Sequence, residues 1–276
     1  MTTSVRTGTI VVNGVDLYHE IRGDGPPVVF IPGAGGDAGG FEAVAALLAD
    51  SYTVLTYDRR GNSRSPKPDG WTSTSMAEQA DDCAALIEAL GLEWSFAFGS
   101  SSGGTILVSL LERHPEVLRG AVVHEPGLFS TSPSVAAFTE AVTKVLSEAG
   151  GGPQEAIDRL NRWMLGDAAV DAIPEELQAR ILRNADVNLE LEARALQSYV
   201  ADAAALAALE IPVHAVYGEG TASANPTLAS LVRECAEWVS TTTGGPLHVF
   251  PGGHSVYIDR PKEFAQTLRG ILASMS

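Results

Sequence analysis

Cysteine, basic residues and long apolar runs are all scarce in this 276-residue sequence, and each shortage excludes a class of protein. The two cysteines, Cys83 and Cys235, belong to no C-x-x-C or Cys/His cluster, so the sequence predicts neither a disulfide framework nor a zinc site. With 18 Lys and Arg against 34 Asp and Glu, the formal charge of −16 would repel nucleic acid and anionic membranes. A small neutral molecule is therefore the better-suited partner.

No apolar run in the sequence reaches the length of a membrane span. The opening MTTSVRTGTI has no apolar stretch behind Arg6 that would resemble a secretory signal. We therefore expect a soluble, cytoplasmic protein that makes no membrane contact. The sequence leaves the oligomeric state open, with a homodimer as one option, and it contains no motif that requires a cofactor.

Strand-like runs alternate with helix-like stretches in an order typical of a parallel sheet covered on both faces. TGTIVV and VDLYHEI flank Asn13 and Gly14, a pair that favours a hairpin turn. Six further apolar runs follow: PVVFI, YTVLTY, WSFAF, GAVVH, PVHAVY and LHVF. Helical patterns lie between the earlier runs, at 41–48, 75–90 and 105–113. The pattern predicts an α/β fold with a mostly parallel eight-stranded sheet.

About eighty residues between GAVVH and PVHAVY, from Phe129 to Leu209, interrupt this alternation with successive helical patterns rich in Ala, Leu and Glu. These helices carry too few apolar residues for a second core, so the prediction is a helical lid over the carboxyl edge of the sheet. The chain would then form one core, residues 1–128 and 210–276, with a lid at 129–209 inserted after the sixth strand.

The stretch FAFGSSSGGT contains the pattern G-x-S-x-G, with Gly99, Ser101 and Gly103 at its fixed positions. In this pattern a strand turns sharply into a helix and exposes a serine hydroxyl at the corner, while the glycines remove Cβ atoms that would collide there. Ser101 is thus the candidate nucleophile, and the backbone N–H of Ser102 is a candidate donor to a substrate oxyanion. A loop without catalytic function is the alternative.

A serine nucleophile needs a base, and His254 is the best placed of the six histidines. It follows the last strand in FPGGHSVYIDRP, in a loop at the same sheet edge as Ser101. His124 reaches that edge as well. Ordinary packing or surface positions account for the other four, which are His19, His114, His214 and His248.

The turn after the third strand, IPGAGGDAGGF, is the candidate for a second oxyanion donor. Gly33, Gly35 and Gly36 let the backbone approach a ligand closely, and the amide of Ala34 is the best placed donor beside Ser102. No G-K-[ST] follows and no G-x-G-x-x-G is present, so the turn is not predicted to bind phosphate or a dinucleotide. A plain connector is the alternative interpretation.

From about Thr9 to Met275 the chain resembles the α/β-hydrolase superfamily. The resemblance rests on GSSSGG, on YDRRGNSRS with Asn62 in place of the second glycine of a D-x-R-G-x-G-x-S turn, and on PGGHSVYIDRP. It is also similar to zearalenone-type lactone hydrolases at SSGG, HEPG, PTLAS and PGGHSVYIDRP. The resemblance implies an α/β-hydrolase fold and a serine, histidine and carboxylate triad.

The acid of this triad is the point at which the chain departs from the family. The usual aspartate, three residues after Gly218, is replaced by Thr221. Glu125, at the end of the sixth strand in VVHEPG, is our predicted acid because it lies at the same sheet edge as His254. Glu219 is the alternative, and it would need a different loop path.

The predicted activity is hydrolysis of a carboxylic ester or lactone of a small, largely apolar substrate through an acyl-enzyme. Carbon–carbon bond hydrolysis and perhydrolysis use the same triad, and a non-catalytic ligand-binding member of the fold is a further alternative. Gly33 and Gly35, together with Trp163, Met164 and Leu165 of LNRWMLGD, are the predicted substrate-contacting residues. For the three lid residues, simple packing of the lid onto the sheet is an equal alternative.

Overall fold

The computed structural model describes residues 4–275, which form an eight-stranded sheet with helices on both faces. The strands are β1 Arg6–Val12, β2 Val15–Arg22, β3 Pro27–Ile31, β4 Thr53–Tyr57, β5 Ser95–Ser100, β6 Leu118–His124, β7 Val213–Gly218 and β8 Leu247–Phe250. Their order in the sheet is β1-β2-β4-β3-β5-β6-β7-β8. Only β2 runs antiparallel to its neighbours, so the predicted mostly parallel sheet is confirmed.

Fourteen α-helical segments are found in residues 4–275. They are α1 Glu42–Leu48, α2 Met76–Ala89, α3 Ser102–Arg113, α4 Val135–Ser147, α5 Pro153–Leu165, α6 Asp167–Asp171, α7 Glu175–Arg183, α8 Ala185–Val187, α9 Ala193–Ser198, α10 Ala203–Ala207, α11 Thr221–Ala224, α12 Pro226–Thr243, α13 Val256–Asp259 and α14 Pro261–Ser274. Short 3₁₀ turns occur at Ala38–Phe41, Pro115–Val117 and Phe129–Thr131, and a π turn at Asn188–Glu192 joins α8 to α9. None of the helices in the described chain is both long enough and apolar enough to cross a bilayer.

The core lies in two layers, one on each face of the sheet. Successive side chains of a strand point to opposite faces, and β3 shows this directly. Val29 and Ile31 pack with α2, α3 and α12, whereas Val28 and Phe30 pack with α1 and α14. A sheet covered on both faces requires nearly continuous apolar strands, which is the pattern that the sequence shows.

Helix α3 begins at Ser102, three residues before the helical pattern of the sequence. The early start includes Gly103 and Gly104, which have low intrinsic helix propensity. Packing explains it, because a Cβ atom at Gly103 would lie 2.2 Å from the carbonyl oxygen of Ile31 in β3. Close contact between α3 and β3 therefore requires glycine at this position and brings the helix N-terminus to the end of β5.

The chain reverses its direction of travel across the sheet between β3 and β5. From β3 it moves outwards to β4, then returns to place β5 on the other side of β3. The carboxyl ends of strands at such a point form a crevice where ligands bind in open α/β sheets. The loop after β3 and the turn containing Ser101 border this crevice.

Seven helices, α4 to α10, lie between β6 and β7, and we call residues 129–209 the helical insertion. Its side chains share a cavity with the loops at the carboxyl ends of β3, β5 and β6. The segment was predicted to be helical, and the structure has helices there. Its role as a lid stays a prediction.

Candidate active site

Ser101 lies at the corner between β5 and α3 with φ of 58° and ψ of −128°, a backbone conformation that non-glycine residues rarely adopt. The surroundings enforce this geometry. The Ser101 N–H donates to the carbonyl of His124 over 3.0 Å, and a Cβ atom at Gly99 would lie 2.3 Å from the carbonyl oxygen of Gly103. Strain of this kind persists only where the surrounding structure holds it, and it concentrates at functional sites.

His254 and Glu125 are in direct contact, although 129 residues separate them. Nδ1 of His254 donates a short hydrogen bond to Oε2 of Glu125. The other carboxylate oxygen, Oε1, accepts the Gly218 N–H over 2.8 Å and the Thr221 hydroxyl over 2.7 Å. Thr221 occupies the position of the usual family acid, so here that position supplies a donor that holds the glutamate.

Glu125 also has a positive φ, 43°, and its side chain is completely buried. Burial raises the pKa of this carboxyl, but the hydrogen bond and charge of His254 outweigh it and lower the pKa to about 2. Glu125 is therefore ionised at neutral pH. A carboxylate that accepts from Nδ1 fixes that tautomer of His254 and leaves Nε2 as the proton acceptor.

Glu219, the alternative acid, is exposed. Its backbone N–H bonds to the carbonyl of Phe250 over 3.0 Å, and within residues 4–275 its carboxylate makes no hydrogen bond. Of the two glutamates that the sequence leaves open, only Glu125 contacts His254.

The loop after β3 packs against the turn containing Ser101. A Cβ atom at Gly33 would lie 3.1 Å from the carbonyl oxygen of Ser100 and 3.2 Å from Cβ of Ser101. The Ala34 N–H has no acceptor in the described chain, and Ser102 is the first residue of α3, where backbone N–H groups lack an intrahelical acceptor. Both residues line the same cavity as Ser101.

A cavity of about 280 Å³ brings most of the predicted residues together. Its lining includes the five predicted catalytic and oxyanion residues, Ser101, His254, Glu125, Ala34 and Ser102. Gly33, Met164 and Leu165 of the predicted substrate contacts line it as well. In the described chain the Ser101 hydroxyl makes no hydrogen bond.

Two predicted substrate contacts, Gly35 and Trp163, are not among the described residues that line this cavity. Gly35, with φ of 64°, faces the insertion, where its missing Cβ would lie 3.2 Å from the Asn188 amide nitrogen. Trp163 packs on Phe138 with ring centroids 5.8 Å apart, and its carbonyl accepts the Asn225 side-chain amide. For Trp163 the structure therefore favours the packing alternative.

The rest of the lining is mostly apolar and carries no positive charge. Its apolar residues include Phe129, Phe138, Val142, Leu160, Leu196 and Leu231. No lysine or arginine is among the described residues that line the cavity. Such a lining favours an uncharged, apolar ligand over an anion.

Two polar groups around the site make contacts that the sequence does not indicate. Thr221 appeared only as a lost acid, and its hydrogen bond to Glu125 depends on a loop path that no local motif encodes. The buried residue His124 bonds to the Ser100 hydroxyl through Nδ1 over 2.9 Å, and burial lowers its pKa to about 4. It is thus a neutral core histidine.

Within the described ranges no three His, Cys, Asp or Glu side chains form a group that could hold a metal ion.

The sequence profile of the family described as alpha/beta hydrolase fold matches residues 26–261, so the chain belongs to the α/β-hydrolase family. The expected family is confirmed.

Two curated relatives and one solved structure extend this comparison. The chain is 31% identical to the uncharacterized hydrolase YraK of Bacillus subtilis, across 98% of this chain and 97% of that protein. It is 27% identical to a zearalenone hydrolase of Bionectria ochroleuca, across 92% of both chains. A thermophilic esterase from Thermogutta terrifontis superposes with a TM-score of 0.78 at 22% identity, across 98% of this chain and 99% of the other, which is a similarity of fold.

Proposed function

We propose that this protein is a serine hydrolase that cleaves a carboxylic ester or lactone of a small, largely apolar substrate. One observation carries the proposal: a strained serine at a strand-to-helix corner shares a cavity with a histidine held by an ionised, buried carboxylate. Three chain segments distant in sequence contribute these groups. A hydroxyl, an imidazole and a carboxylate in this order form the relay that activates serine nucleophiles.

In the proposed reaction Nε2 of His254 takes the proton as Ser101 Oγ attacks the carbonyl carbon. Glu125 stabilises the resulting imidazolium, and the N–H groups of Ala34 and Ser102 donate to the oxyanion. Collapse of the tetrahedral intermediate transfers the proton to the leaving oxygen and leaves an acyl group on Ser101. Water, activated by His254, then hydrolyses this ester and restores the free hydroxyl.

The lining and the relatives support the proposed substrate class. The described residues that line this largely apolar cavity include no lysine or arginine, and such a lining suits an uncharged acyl chain or ring. A relative at 27% identity is a zearalenone hydrolase, and one structural neighbour at 23% identity is described as degrading N-acyl homoserine lactones. These names support including lactones beside linear esters in the proposal.

The test compares the parent with Ser101→Ala on p-nitrophenyl acetate and butyrate, then on longer esters and macrocyclic lactones. We expect turnover by the parent and a loss of about 10⁴-fold or more in the variant, because the nucleophile is removed. Ser100→Ala is a neighbouring control that keeps Ser101. If parent and variant are both inactive across the panel, a non-catalytic ligand-binding role is favoured and the proposal fails.

A further inference from the structure

Arg59, in the turn after β4, links the loop after β3 to the helical insertion. Its side chain is almost fully buried. Nη1 donates to Oε1 of Glu192 over 2.7 Å, and Nη2 donates to Oε2 of the same carboxylate over 2.9 Å. Nη2 also donates to the carbonyl oxygen of Gly33 over 2.9 Å. One guanidinium therefore contacts both the insertion and the residue that precedes Ala34.

The hydrogen bond to Gly33 determines where the Ala34 N–H points. The Gly33 carbonyl and the Ala34 N–H belong to one peptide unit, which is planar and trans, so the two groups point in opposite directions. With the carbonyl held towards Arg59, the N–H is directed away from it. Ala34 lines the cavity, and its N–H has no acceptor in the described chain.

Within the loop only one other group in the described chain holds this carbonyl. The Gly36 N–H donates to it over 3.0 Å. Gly35 and Gly36 give the loop wide conformational freedom, and a bond made inside the loop does not orient the loop relative to Ser101. For the Gly33 carbonyl Arg59 supplies an external reference, because its turn is continuous with β4 in the sheet.

Glu192 fixes the guanidinium in this position. It lies at the end of the π turn Asn188–Glu192, its side chain is buried, and it lines the cavity. Its Oε1 also accepts the Asn62 side-chain amide over 2.8 Å. A bidentate carboxylate leaves the planar guanidinium only one orientation, the one that points Nη2 at Gly33. Single π turns are frequent at functional sites.

We propose that Arg59 and Glu192 are positioning residues that hold the Gly33–Ala34 peptide with its N–H aimed at the oxyanion. They couple the insertion to the oxyanion site without touching the reacting atoms. This inference rests on the proposed function, since an oxyanion forms only if Ser101 attacks a carbonyl. It assigns to the insertion a part in the chemical step, in addition to any effect on substrate choice.

The test replaces Arg59 by methionine and uses Arg60→Met as the matched control. Arg60 is the next residue and is also buried, and it makes an equally good bidentate pair, with Nε and Nη2 each 2.7 Å from Asp82, on the side facing α2. We expect kcat on p-nitrophenyl butyrate to fall about 100-fold in Arg59→Met, with KM within about threefold, because one oxyanion donor is misdirected. Arg60→Met should keep kcat within about threefold.

The inhibition constant Ki of a boronic acid that adds to Ser101 is a second measurement, and a loss of folding stability does not change it. Its adduct mimics the tetrahedral intermediate, so its Ki should rise by about the same factor by which kcat/KM falls. Both are measured below the unfolding temperature of each variant, with active sites counted by a fluorophosphonate. The proposal would be overturned if Arg59→Met and Arg60→Met had equal kcat, or if the boronate Ki of Arg59→Met were the same as that of the parent.

Glu192→Gln is the second variant. It keeps the shape of the side chain, so it can replace Arg59→Met as the test if that variant does not fold. It should also lower kcat and weaken the boronate, while the double variant should be no worse than Arg59→Met, because both residues act through one peptide. Full additivity or an unchanged Glu192→Gln enzyme would contradict the proposal. If the parent has no Ser101-dependent activity, it is the proposed function that fails.

Discussion

The two halves of the helical insertion are attached to the core by different chemistry. The first half, α4 and α5, is attached through hydrogen bonds: the half-buried Glu234 of α12 accepts from the Ser132 and Ser134 hydroxyls, and Asn225 donates to the Trp163 carbonyl. In α4 only Phe138 is buried. Other apolar side chains of α4 and α5, among them Val142, Leu160 and Met164, line the cavity, so apolar contacts there accompany these hydrogen bonds.

The second half, α7 to α9, is attached through charges that are largely buried. Arg180 pairs with the fully buried carboxylate of Asp37, and the Asn184 amide donates to the Gly35 carbonyl over 2.9 Å. Glu192 adds the pair with the arginine described above. All three contacts reach the loop after β3 or the turn after β4, which border the crevice beside Ser101.

This difference in attachment suggests that the two halves of the insertion have different roles. Apolar contacts tolerate changes of size, so the first half is suited to determining which substrates fit. Buried, bidentate charge pairs tolerate little movement, so the second half is suited to fixing the loop that carries Ala34. Three predictions examine this division.

The largest effect is expected for the attachment of the second half. Asp37→Ala removes the buried partner of Arg180 and the cap that accepts from the Gly39 N–H over 2.8 Å, and it leaves the half-buried guanidinium paired with the exposed Glu176 carboxylate. We expect the free energy of unfolding to fall by about 3 kcal/mol. Urea denaturation of the parent and the variant measures this difference in the free energy of unfolding.

Glu234→Ala is the matched variant for the first half. It removes a carboxylate with two serine partners at a half-buried site, so a loss of only about 1 kcal/mol is expected. Equal losses in the two variants, or a larger loss in Glu234→Ala, would break the comparison between the halves.

A smaller effect, on selectivity, is expected from the lining of the first half. Met164→Ala enlarges the cavity, so the kcat/KM ratio of p-nitrophenyl hexanoate to acetate should rise about tenfold. Trp163→Phe is the control, because Trp163 packs behind the lining on Phe138. It should lower stability and leave the ratio unchanged. If the kcat/KM ratio changed in Trp163→Phe and not in Met164→Ala, Trp163 rather than Met164 would be the residue that contacts the substrate.

The smallest effect is a pH dependence of the first attachment. Hydrogen bonds from Ser132 and Ser134 lower the pKa of Glu234 from its ordinary value of 4.5, with the Ser132 bond the largest cause. A lowered carboxyl pKa stabilises the fold above pH 4.5, and this contribution is lost as pH falls through the folded-state pKa. The stability gap between parent and Glu234→Ala should therefore narrow below pH 4.5.

Ser132→Ala sharpens this measurement. This substitution removes the largest cause of the lowered Glu234 pKa. With Ser132→Ala in both proteins, the difference in free energy of unfolding caused by Glu234→Ala should therefore depend less on pH between pH 5 and pH 3, as measured by urea denaturation. A gap that stays constant over this range would show that Glu234 gains nothing from its serine partners.

The sequence predicts those parts of the molecule that short motifs encode. Asn13 and Gly14 both have positive φ in the hairpin turn, and the glycines beside Ser101 lie where a Cβ atom would collide with backbone. In each case neighbouring residues dictate the local geometry. The opening hairpin and the strained corner could therefore be anticipated.

The contacts of the insertion could not be predicted in the same way. Arg180 and Asp37 are 143 residues apart, and Arg59 and Glu192 are 133 apart. Charged residues on an amphipathic helix ordinarily face solvent, so no pattern marks Glu192 as buried. Glu125 was predictable because it ends a strand at the edge where His254 also lies, whereas the supporting bond from Thr221 depends on the whole fold.

In the proposed mechanism Glu125 and His254 activate Ser101. A fluorophosphonate tests it most directly, because it reports which hydroxyl is nucleophilic and how fast it reacts. Intact-mass and peptide analysis should find one adduct, on Ser101. The labelling rate should fall by about 10³-fold in Glu125→Gln and stay at the parent value in Glu219→Gln. An adduct on another residue, or slow labelling in Glu219→Gln with normal labelling in Glu125→Gln, would contradict the account.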